Sequence, residues 1–522
     1  MRLPLLSSIA FAVLFAGLPL LAVFAEALGG LGAFADILHT ENDRAAFAAS
    51  LELGVVATAI AVLCGGGHAW LTFRTDLPGA RWLLPLGVLP LVIPPILLAM
   101  SLADLLPMKG FWPCAALIGV TTAPFVAVFA ARGLRAVDGR EYEAALLARG
   151  RGAAERLLLR TVAPEFAAGA LLAFLFAVSE HGVPEFLTVK GKTWHTYAEV
   201  VFRLWSRRAT GVTSADLASP IVASLPLLVL LALALFLALR LRARAGVQAA
   251  QPLPLRPLGG LRWPLLGAPL LYLGHGVLLP IVVMSRWAAG STAAAPMSLA
   301  TFRSSLARAL SQAGSDLGHT LFIAVATTAV VLVVALPLAR RAGRGRGFID
   351  YVGVLPLAVP AVLLAIGVVQ VFNSRLLNRV YTLGFDFYDS DACVVAAYAA
   401  RFLPFAILTL SSAVRRIPQA LDDAAVLSGR GPLARALRVH LPPLLPAAWS
   451  ATCLVFVLAL RELDLAVVLP AGNGTVVRRL SNVVHFGGED VGGALALYLL
   501  LTALLVPVLG MILTGRRPTP IS

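Results

Sequence analysis

Two charged segments of similar residue order interrupt a chain that is otherwise strongly apolar. The first, EYEAALLARGRGAAERLLLRTVAP, occupies residues 141–164, and the second, PQALDDAAVLSGRGPLARALRVHLPP, occupies residues 418–443. In each, acidic residues open a helix-prone run, two alanines follow, and a Gly-Arg-Gly sequence comes soon after. Acidic side chains suit the positive N-terminus of a helix, and glycine can adopt the left-handed conformation that ends one. Each segment is therefore predicted to contain a short helix, and we call these the first and second loop helices.

The repeated order predicts that each loop helix docks onto a partner protein, because the paired alanines let another surface approach the backbone closely. The alternative is that the arginines hold each loop near anionic lipid headgroups. That alternative accounts for the charge but not for the same order appearing once in each half of the chain. The candidate docking residues are Glu143, Ala144, Ala145, Gly150 and Arg151 in the first segment and Asp422, Asp423, Ala424, Ala425, Gly429 and Arg430 in the second.

The sequence contains no residue spacing typical of a catalytic or metal-binding site. Gly191-Lys192-Thr193 is like the end of a phosphate-binding loop, but such a loop needs a glycine where this chain has Phe186. The four cysteines stand singly in or beside apolar runs, without metal-ligand or disulfide spacing. We therefore expect no enzyme activity, no metal site and no cofactor bound by this chain.

The composition indicates a protein that crosses a membrane many times. Of the 522 residues 59% are hydrophobic and only 13% are charged, and the mean hydropathy is +0.87. A soluble protein of this size would need far more charge to cover its surface. The net charge of +15 is explained by cationic loops on one face of the membrane, so we expect no nucleic-acid partner.

Twelve apolar segments are long enough to cross the bilayer as helices. The first, at 8–29, is preceded by a single arginine and is long for a signal peptide, so we expect it to be retained as a span. The predicted spans are residues 8–29, 46–73, 82–105, 111–134, 165–187, 218–239, 264–285, 318–339, 350–373, 392–414, 444–470 and 491–514.

The distribution of Arg and Lys predicts the orientation of these spans. The face that carries both charged segments and both termini has nearly twice as many basic residues as the opposite face. The richer face is expected to be cytoplasmic, which places both termini inside the cell.

The chain is written twice. GVLPLVIPPILLA at 87–99 returns as GVLPLAVPAVLLA at 353–365, with two prolines in register. Proline removes a backbone hydrogen bond, so each half is predicted to kink its third span at the same places, namely Pro90, Pro94, Pro356 and Pro360. An even number of spans in each half predicts a parallel repeat of two six-helix halves. The predicted division is 1–245, a cytoplasmic linker at 246–263, and 264–522, with the charged loops at about 136–163 and 415–442.

Charged residues near the ends of two spans are candidates for a substrate pathway. Glu180 and Glu462 occupy equivalent places in FAVSEHGVPEF and LALRELDLAVV. A charge at membrane depth is costly unless it is paired or in contact with water, so such residues often line a transport path. For Arg461 and Asp464, which stand three residues apart, the alternative is a structural ion pair.

Glu143-Ala144-Ala145 with the following glycine, and Asp423-Ala424-Ala425 with Gly429, resemble the EAA loop of binding-protein-dependent ABC importer permeases. Asp423 replaces the usual glutamate, and in the first copy the glycine comes one residue later than in the family pattern. The resemblance covers nearly all of both halves and is closest to the fused, two-in-one permeases of the iron(III) type, with thiamine, polyamine and phosphonate transporters as relatives.

This resemblance implies an all-α permease of two parallel six-helix repeats in a bacterial inner membrane. Each loop helix would be a coupling helix seated in one subunit of a cytoplasmic ATPase homodimer, which would use the ATP. A periplasmic or lipid-anchored binding protein would deliver the solute, possible solutes being iron(III), thiamine, a polyamine or a phosphonate. The alternative from another class is a secondary transporter with a 6 + 6 repeat driven by an ion gradient, which would need several acidic groups deep in its spans.

Overall fold

The structure is a computed structural model that describes residues 2–29, 41–106, 108–187, 194–209, 220–242, 251–290, 297–344, 353–374, 386–429, 431–469, 474–486 and 489–514. Residues 191–193, Arg430 and residues 246–250 of the predicted linker lie outside these ranges, as does the side chain of Asp422. Within them every regular element is a helix, and the one contact of β type is an isolated parallel bridge between Thr75 and Arg256.

Nine helices of the described chain are long and apolar enough to cross a membrane. They are Pro4–Leu28, Glu41–Arg74, Phe111–Ala136, Arg151–Ser179, Leu225–Arg242, Gly259–Ala288, Leu299–Gly343, Asp391–Val414 and Arg438–Leu460. A bent pair, Ala80–Val92 and Pro95–Leu105, and two shorter apolar helices, Ala361–Phe372 and Asp490–Val506, fall on the remaining predicted spans. The prediction of an all-α, multi-pass membrane protein is therefore confirmed.

The other helices are short and lie between the apolar ones. They are Gly139–Arg149, Gly182–Leu187, Tyr197–Ala209, Pro220–Ala223, Gln419–Leu427, Pro432–Arg435, Asp464–Val468 and Val476–Phe486. Two predicted spans, 165–187 and 444–470, end earlier than expected, because the helix stops at Ser179 in one and at Leu460 in the other. In both places the chain turns at a charged residue and starts a new short helix.

The third span of each half is broken rather than kinked. In the first half a 3₁₀ turn, Leu89–Val92, is followed by extended Ile93, and a new helix begins at Pro95 after a bend of 91°. In the second half the turn is Leu355–Ala358, followed by extended Val359. Each extended residue directly precedes a proline, whose ring disfavours helical backbone at the preceding position. The second proline of each pair therefore follows the end of the 3₁₀ turn, and a new helix starts directly after it.

The chain forms two compact units that are not its two sequence halves. The central unit comprises Gly30–Arg303, and the terminal unit comprises Met1–Gly29 together with Ser304–Ser522. The first helix of the chain thus belongs to the unit built mainly from the second half. Likewise, the helices Arg262–Leu273 and Leu279–Ala288, which open the second half, belong to the central unit. The predicted boundary at the linker separates the two copies of the sequence repeat, whereas the compact units are defined by which helices pack together.

The two exchanged helices make equivalent polar contacts with the third span of their unit. In the central unit Trp287 Nε1 donates a hydrogen bond to Asp104 Oδ1 at 3.0 Å. In the terminal unit Gln370 Nε2 donates to Glu26 Oε2. The sequences LPLLAVFAEALG at 18–29 and LPIVVMSRWAAG at 279–290 place Glu26 and Trp287 at the same step after a Leu-Pro pair. The two halves therefore also share the polar contact between the exchanged helix and the third span of its unit.

Candidate functional site

The first loop helix runs from Gly139 to Arg149 and has a side-chain cap at its start. The Asp138 carboxylate accepts a hydrogen bond from the Arg140 N–H at 2.9 Å, which satisfies one of the free donors at the helix N-terminus. The helix ends at Gly150, whose φ of +74° favours glycine. Capping at both ends explains why so short a helix is formed between two spans.

Tyr142 anchors the first loop helix to the rest of the central unit. Its side chain is buried within an apolar cluster that includes Leu134 and Leu158. Its hydroxyl donates to Glu155 Oε1 at 3.1 Å, and the guanidinium of buried Arg74 lies 4.8 Å from its ring centroid. A cation over an aromatic face is stabilising, and more so away from water. One side of this helix is therefore fixed by packing, a hydrogen bond and a cation–π contact.

The second loop helix, Gln419–Leu427, is supported differently. Pro418 precedes it, and no side-chain hydrogen bond caps its N-terminus. Gly429, with a φ of +70°, follows its C-terminus. Beneath it lies a cavity of about 220 Å³, lined by Ala413, Arg416, Ile417, Pro418, Leu421, Pro443, Pro446 and Ala447. This cavity is half open to its surroundings, so packing encloses the base of the second loop helix only in part.

Both loop helices present the same exposed face. Glu143 and Ala144 are exposed in the first, and Asp423 and Ala424 are exposed in the second. Four positions after the acidic residue comes a leucine whose exposed fraction is 87% at Leu147 and 88% at Leu427. The sequence analysis missed these leucines, although their identical place in both copies is a signal that could have revealed them. A nearly fully exposed leucine beside an alanine is a surface suited to an apolar partner groove.

The second alanine of each pair does not belong to this exposed face. Ala425 is buried and Ala145 is half-buried, and Ala145 packs against the cluster around Tyr142. Arg151 is exposed at the start of the next helix, Arg151–Ser179. The candidate residues therefore fall into two groups. One group is exposed, and the other consists of the second alanine of each pair, which faces the rest of the protein.

Glu180 and Glu462 occupy equivalent places in the breaks that follow the two loops. Glu180 Oε1 accepts a hydrogen bond from the Val183 N–H at 3.3 Å. Glu462 Oε1 accepts one from the Leu465 N–H at 3.2 Å. Each carboxylate therefore caps the short helix that begins after the break. A capping role accounts for an acid at both places and does not depend on a substrate.

Arg461 and Asp464 lie on either side of Glu462. Arg461 ends the helix Leu441–Leu460, and Asp464 is the first residue of the helix Asp464–Val468. Their assignment to a substrate pathway remains a prediction.

Arg401, which falls within the predicted span 392–414, contacts the broken third span of the terminal unit. Its buried guanidinium donates from Nη1 to the carbonyl oxygens of Pro356 at 3.2 Å and Val359 at 2.7 Å. Both carbonyls belong to the break, where regular helical hydrogen bonding stops; the Pro356 carbonyl also accepts from the Val359 N–H at 3.4 Å. The corresponding residue of the first half, three positions before its proline, is Thr121, which bonds only to Ile118 O in its own helix.

A buried ion pair in the central unit also escaped the sequence analysis. Arg132 Nη2 lies 3.2 Å from Glu165 Oε1, and the Glu165 side chain is 4% exposed. Glu165 directly follows the first charged segment and begins the predicted span 165–187, but nothing in the sequence indicates that Arg132 is its partner. Burial of this carboxylate is possible because the charge has a direct partner.

The comparisons with known proteins place this fold in a family. The sequence model described as "Binding-protein-dependent transport system inner membrane component" matches residues 61–247 and again residues 331–515. These two matches cover most of the chain, and each contains one loop helix and one broken third span. The chain therefore belongs to this family of transport permeases and carries two copies of its domain.

Individual relatives are transport permeases named for different solutes. The chain is 30% identical to the molybdenum transport system permease protein ModB of Mycobacterium tuberculosis over 207 residues, 38% of this chain and 76% of that protein. It is 27% identical to an Fe(3+)-transport system permease protein of Haemophilus influenzae over 148 residues, 28% of each chain.

A third relative, a probable ABC transporter permease protein of Sinorhizobium fredii, is 26% identical over 339 residues, 62% of this chain and 57% of that protein. A putative ABC transporter permease of Streptomyces antibioticus is 31% identical, and the match spans 63% of its length. The resemblance to fused, two-half ABC importer permeases is confirmed.

Proposed function

We propose that this chain is the membrane-spanning permease subunit of an ATP-driven importer, in which both loop helices are coupling helices for a separate cytoplasmic ATPase dimer. The observation that carries this proposal is the matched exposed face, with Ala144 and Leu147 on one helix and Ala424 and Leu427 on the other. Two equal faces fit the two equal clefts of a homodimer, because a symmetric partner presents the same surface twice.

The proposal places both loop helices, and both chain termini, on the cytoplasmic side. A binding protein would then dock on the opposite face and release its solute into the transport path of the permease. Movement of the ATPase subunits would be transmitted through the loop helices to the spans they precede, as in other hinge-type transitions. No ATP site is required in this chain, since the partner supplies it.

For the solute we propose iron(III) first, on the basis of chain architecture. The match to the Haemophilus Fe(3+) permease covers the same share of both chains, so that protein has about the same length as this one. The molybdenum permease is matched over twice as large a share of its own length as of this chain, so it is about half as long. The double-length form is thus shared with the iron permease. Thiamine, a polyamine and a phosphonate are the alternative solutes.

The secondary-transporter alternative has less support among the described acids. Asp104 accepts from Trp287, Glu165 pairs with Arg132, and Glu180 and Glu462 cap short helices. Each of these deep acids has a structural partner, whereas coupling to an ion gradient needs acids that change protonation or bind an ion during transport.

Reconstitution tests the proposal directly. The purified chain, its ATPase and its binding protein would be placed in liposomes loaded with ATP, and uptake of radiolabelled ferric iron would be followed. We expect uptake only when ATPase and ATP are both present. Uptake by the chain alone on a proton or sodium gradient would refute the proposal. The ligand recovered from the purified binding protein, determined by metal analysis and mass spectrometry, tests the solute separately.

A further inference from the structure

Part of the linker between the two halves packs on the base of the first loop helix. The Gln251 carbonyl accepts a hydrogen bond from the Gly139 N–H at 3.1 Å. Gly139 is the first residue of the loop helix, so this bond satisfies a donor that the helix itself leaves free. A Cβ at Gly139 would lie 2.4 Å from the Pro252 carbonyl oxygen, so only glycine allows the linker to pass this closely. We call residues 251–258 the strap.

The strap continues into contacts with the loop that contains Thr75. Its Arg256 N–H donates to the Arg74 carbonyl at 2.7 Å, and its Arg256 carbonyl accepts from the Asp76 N–H at 3.3 Å. The Asp76 carboxylate accepts from the Leu258 N–H at 2.7 Å. These three bonds fix the second end of the strap within the central unit.

Arg74 connects the strap to the anchor of the loop helix. Its Nη1 donates to the Pro254 carbonyl, while its guanidinium lies over the Tyr142 ring. Leu253 of the strap packs against the same apolar cluster that contains Tyr142. The strap therefore contacts the first loop helix directly at Gly139 and indirectly through Arg74 and Tyr142.

The positions that receive the strap differ in the second half. Asp76 lies eleven residues before Gly87, and the residue eleven before Gly353 is Ala342, which has no acceptor side chain. Gly139 lies four residues before Glu143, and the residue four before Asp423 is Gln419. Tyr142 corresponds to Asp422. A loop helix of this type therefore tolerates a side chain where the first helix has glycine, so Gly139 serves the strap and not the helix.

We propose that the strap is a positioning element that sets the orientation of the first loop helix for its ATPase subunit. This inference rests on the proposed function, because it assumes that the loop helix docks there. The fused architecture then does more than hold two halves in one chain, since the linker stiffens one of the two docking helices. Release of the strap weakens docking at the first helix and leaves the second unchanged.

The test uses the full-length chain in lipid nanodiscs and amide hydrogen exchange measured by mass spectrometry. Gly139→Ala introduces the Cβ that meets Pro252, and Gly152→Ala is its control because no atom lies within 4 Å of the Cβ position there. Asp76→Ala removes the acceptor for Leu258, and Asp76→Asn keeps an oxygen acceptor and should restore it. If Gly139→Ala destabilises the chain, the two Asp76 variants still test the proposal, because they alter only one side-chain acceptor.

We expect Gly139→Ala and Asp76→Ala to speed exchange of the strap and of residues 139–149 about tenfold, the factor given by losing one or two net hydrogen bonds. Exchange of residues 419–427 should not change. Titration with the ATPase should show weaker binding to both variants, with normal binding for Gly152→Ala and recovered binding for Asp76→Asn.

Faster exchange of the strap with unchanged exchange of residues 139–149 would overturn the proposal, as would unchanged exchange in both. Unaltered ATPase affinity of a variant with a released strap would also overturn it. Failure of the wild-type chain to bind any ATPase would instead refute the proposed function, and the exchange experiment would still report whether the strap holds the helix.

Discussion

The two loop helices carry the same motif but are supported by different contacts. The first has an Asp138 cap, the buried Tyr142 and the strap, whereas the second starts at Pro418 without a side-chain cap and lies over a cavity of about 220 Å³. Their outward faces nevertheless match closely, with exposed leucines at 87% and 88%. The surface offered to a partner is therefore repeated in the two halves, while the contacts that support it are not.

The largest expected effect comes from filling the matched outward face. Ala144→Trp and Ala424→Trp each place a large ring on an exposed position, so the chain should fold and reach the membrane normally. We expect each to abolish ATP-driven uptake, because the ring prevents close approach of the ATPase. Uptake and the amount of protein in the membrane would be measured together. Leu159→Trp, at an exposed position elsewhere on the Arg151–Ser179 helix, serves as the control. Normal uptake by either alanine variant would contradict docking at that helix.

A large effect on stability is expected where the halves differ at the broken span. Arg401→Thr introduces the first half's residue and removes two charge-assisted hydrogen bonds to the carbonyls of Pro356 and Val359. We expect the free energy of unfolding to fall by roughly 2–4 kcal/mol, since such bonds are worth about 1.5–3 kcal/mol each before relaxation. Thr121→Ala, which breaks a bond within one helix, should cost less than about 1 kcal/mol. Thermal unfolding in detergent measures both, and equal losses would mean that Arg401 does not hold the break.

An intermediate effect on partner affinity is expected at the exposed leucines. Leu147→Ala and Leu427→Ala each remove apolar surface that docking would bury, worth about 1–2 kcal/mol or roughly a tenfold loss of ATPase affinity. Because the two leucines are equally exposed, their losses should be similar. A titration of the ATPase onto each variant provides the measurement. A loss at one leucine alone would show that the two faces do not dock equivalently.

The smallest effect is expected at Ala447, in the cavity beneath the second loop helix. Ala447 lines the cavity, and its counterpart four residues after Pro164 is the equally buried Ala168. Ala447→Val should be neutral or stabilising by up to about 1 kcal/mol, because it fills empty space. Ala168→Val should destabilise by about 1–3 kcal/mol, because it overpacks a filled site. Unfolding midpoints of the two variants decide the matter, and a cost at Ala447 as large as at Ala168 would mean that the cavity is not available to a side chain.

The sequence was sufficient for the helical class, the repeat and the place of both loop helices, because each depends on local pattern. Apolar run length determines spans, and the order acidic-Ala-Ala-glycine appears twice without any need for coordinates. The sequence predicts kinks at Pro94 and Pro360, whereas the structure shows breaks, because a proline also disfavours helical backbone at the residue before it, here Ile93 and Val359.

What the sequence could not provide depends on contacts between distant segments. The strap joins Gly139 to Gln251 through backbone atoms, and backbone atoms leave no signature in residue type. Glu165 was hidden because its partner Arg132 lies on another helix. The outward direction of Leu147 and Leu427 depends on how each helix is rotated about its axis, which residue type does not show. For the same reason both alanines of each pair are candidates from the sequence, whereas the structure exposes only the first.

The exchange of first helices between the two units has a consequence for biosynthesis. The helix that ends at Gly29 is synthesised before every other described helix that follows it, yet the helix that it packs against in its unit, Ala361–Phe372, is made more than three hundred residues later. At the usual rates of translation that interval is on the order of 20 to 60 seconds.

During this time the first span stays in the lipid with Glu26 on it and no Gln370 yet synthesised. Its insertion must therefore be stable without its final neighbours. A gene divided at the linker would yield two products, and each compact unit would then need helices from both of them.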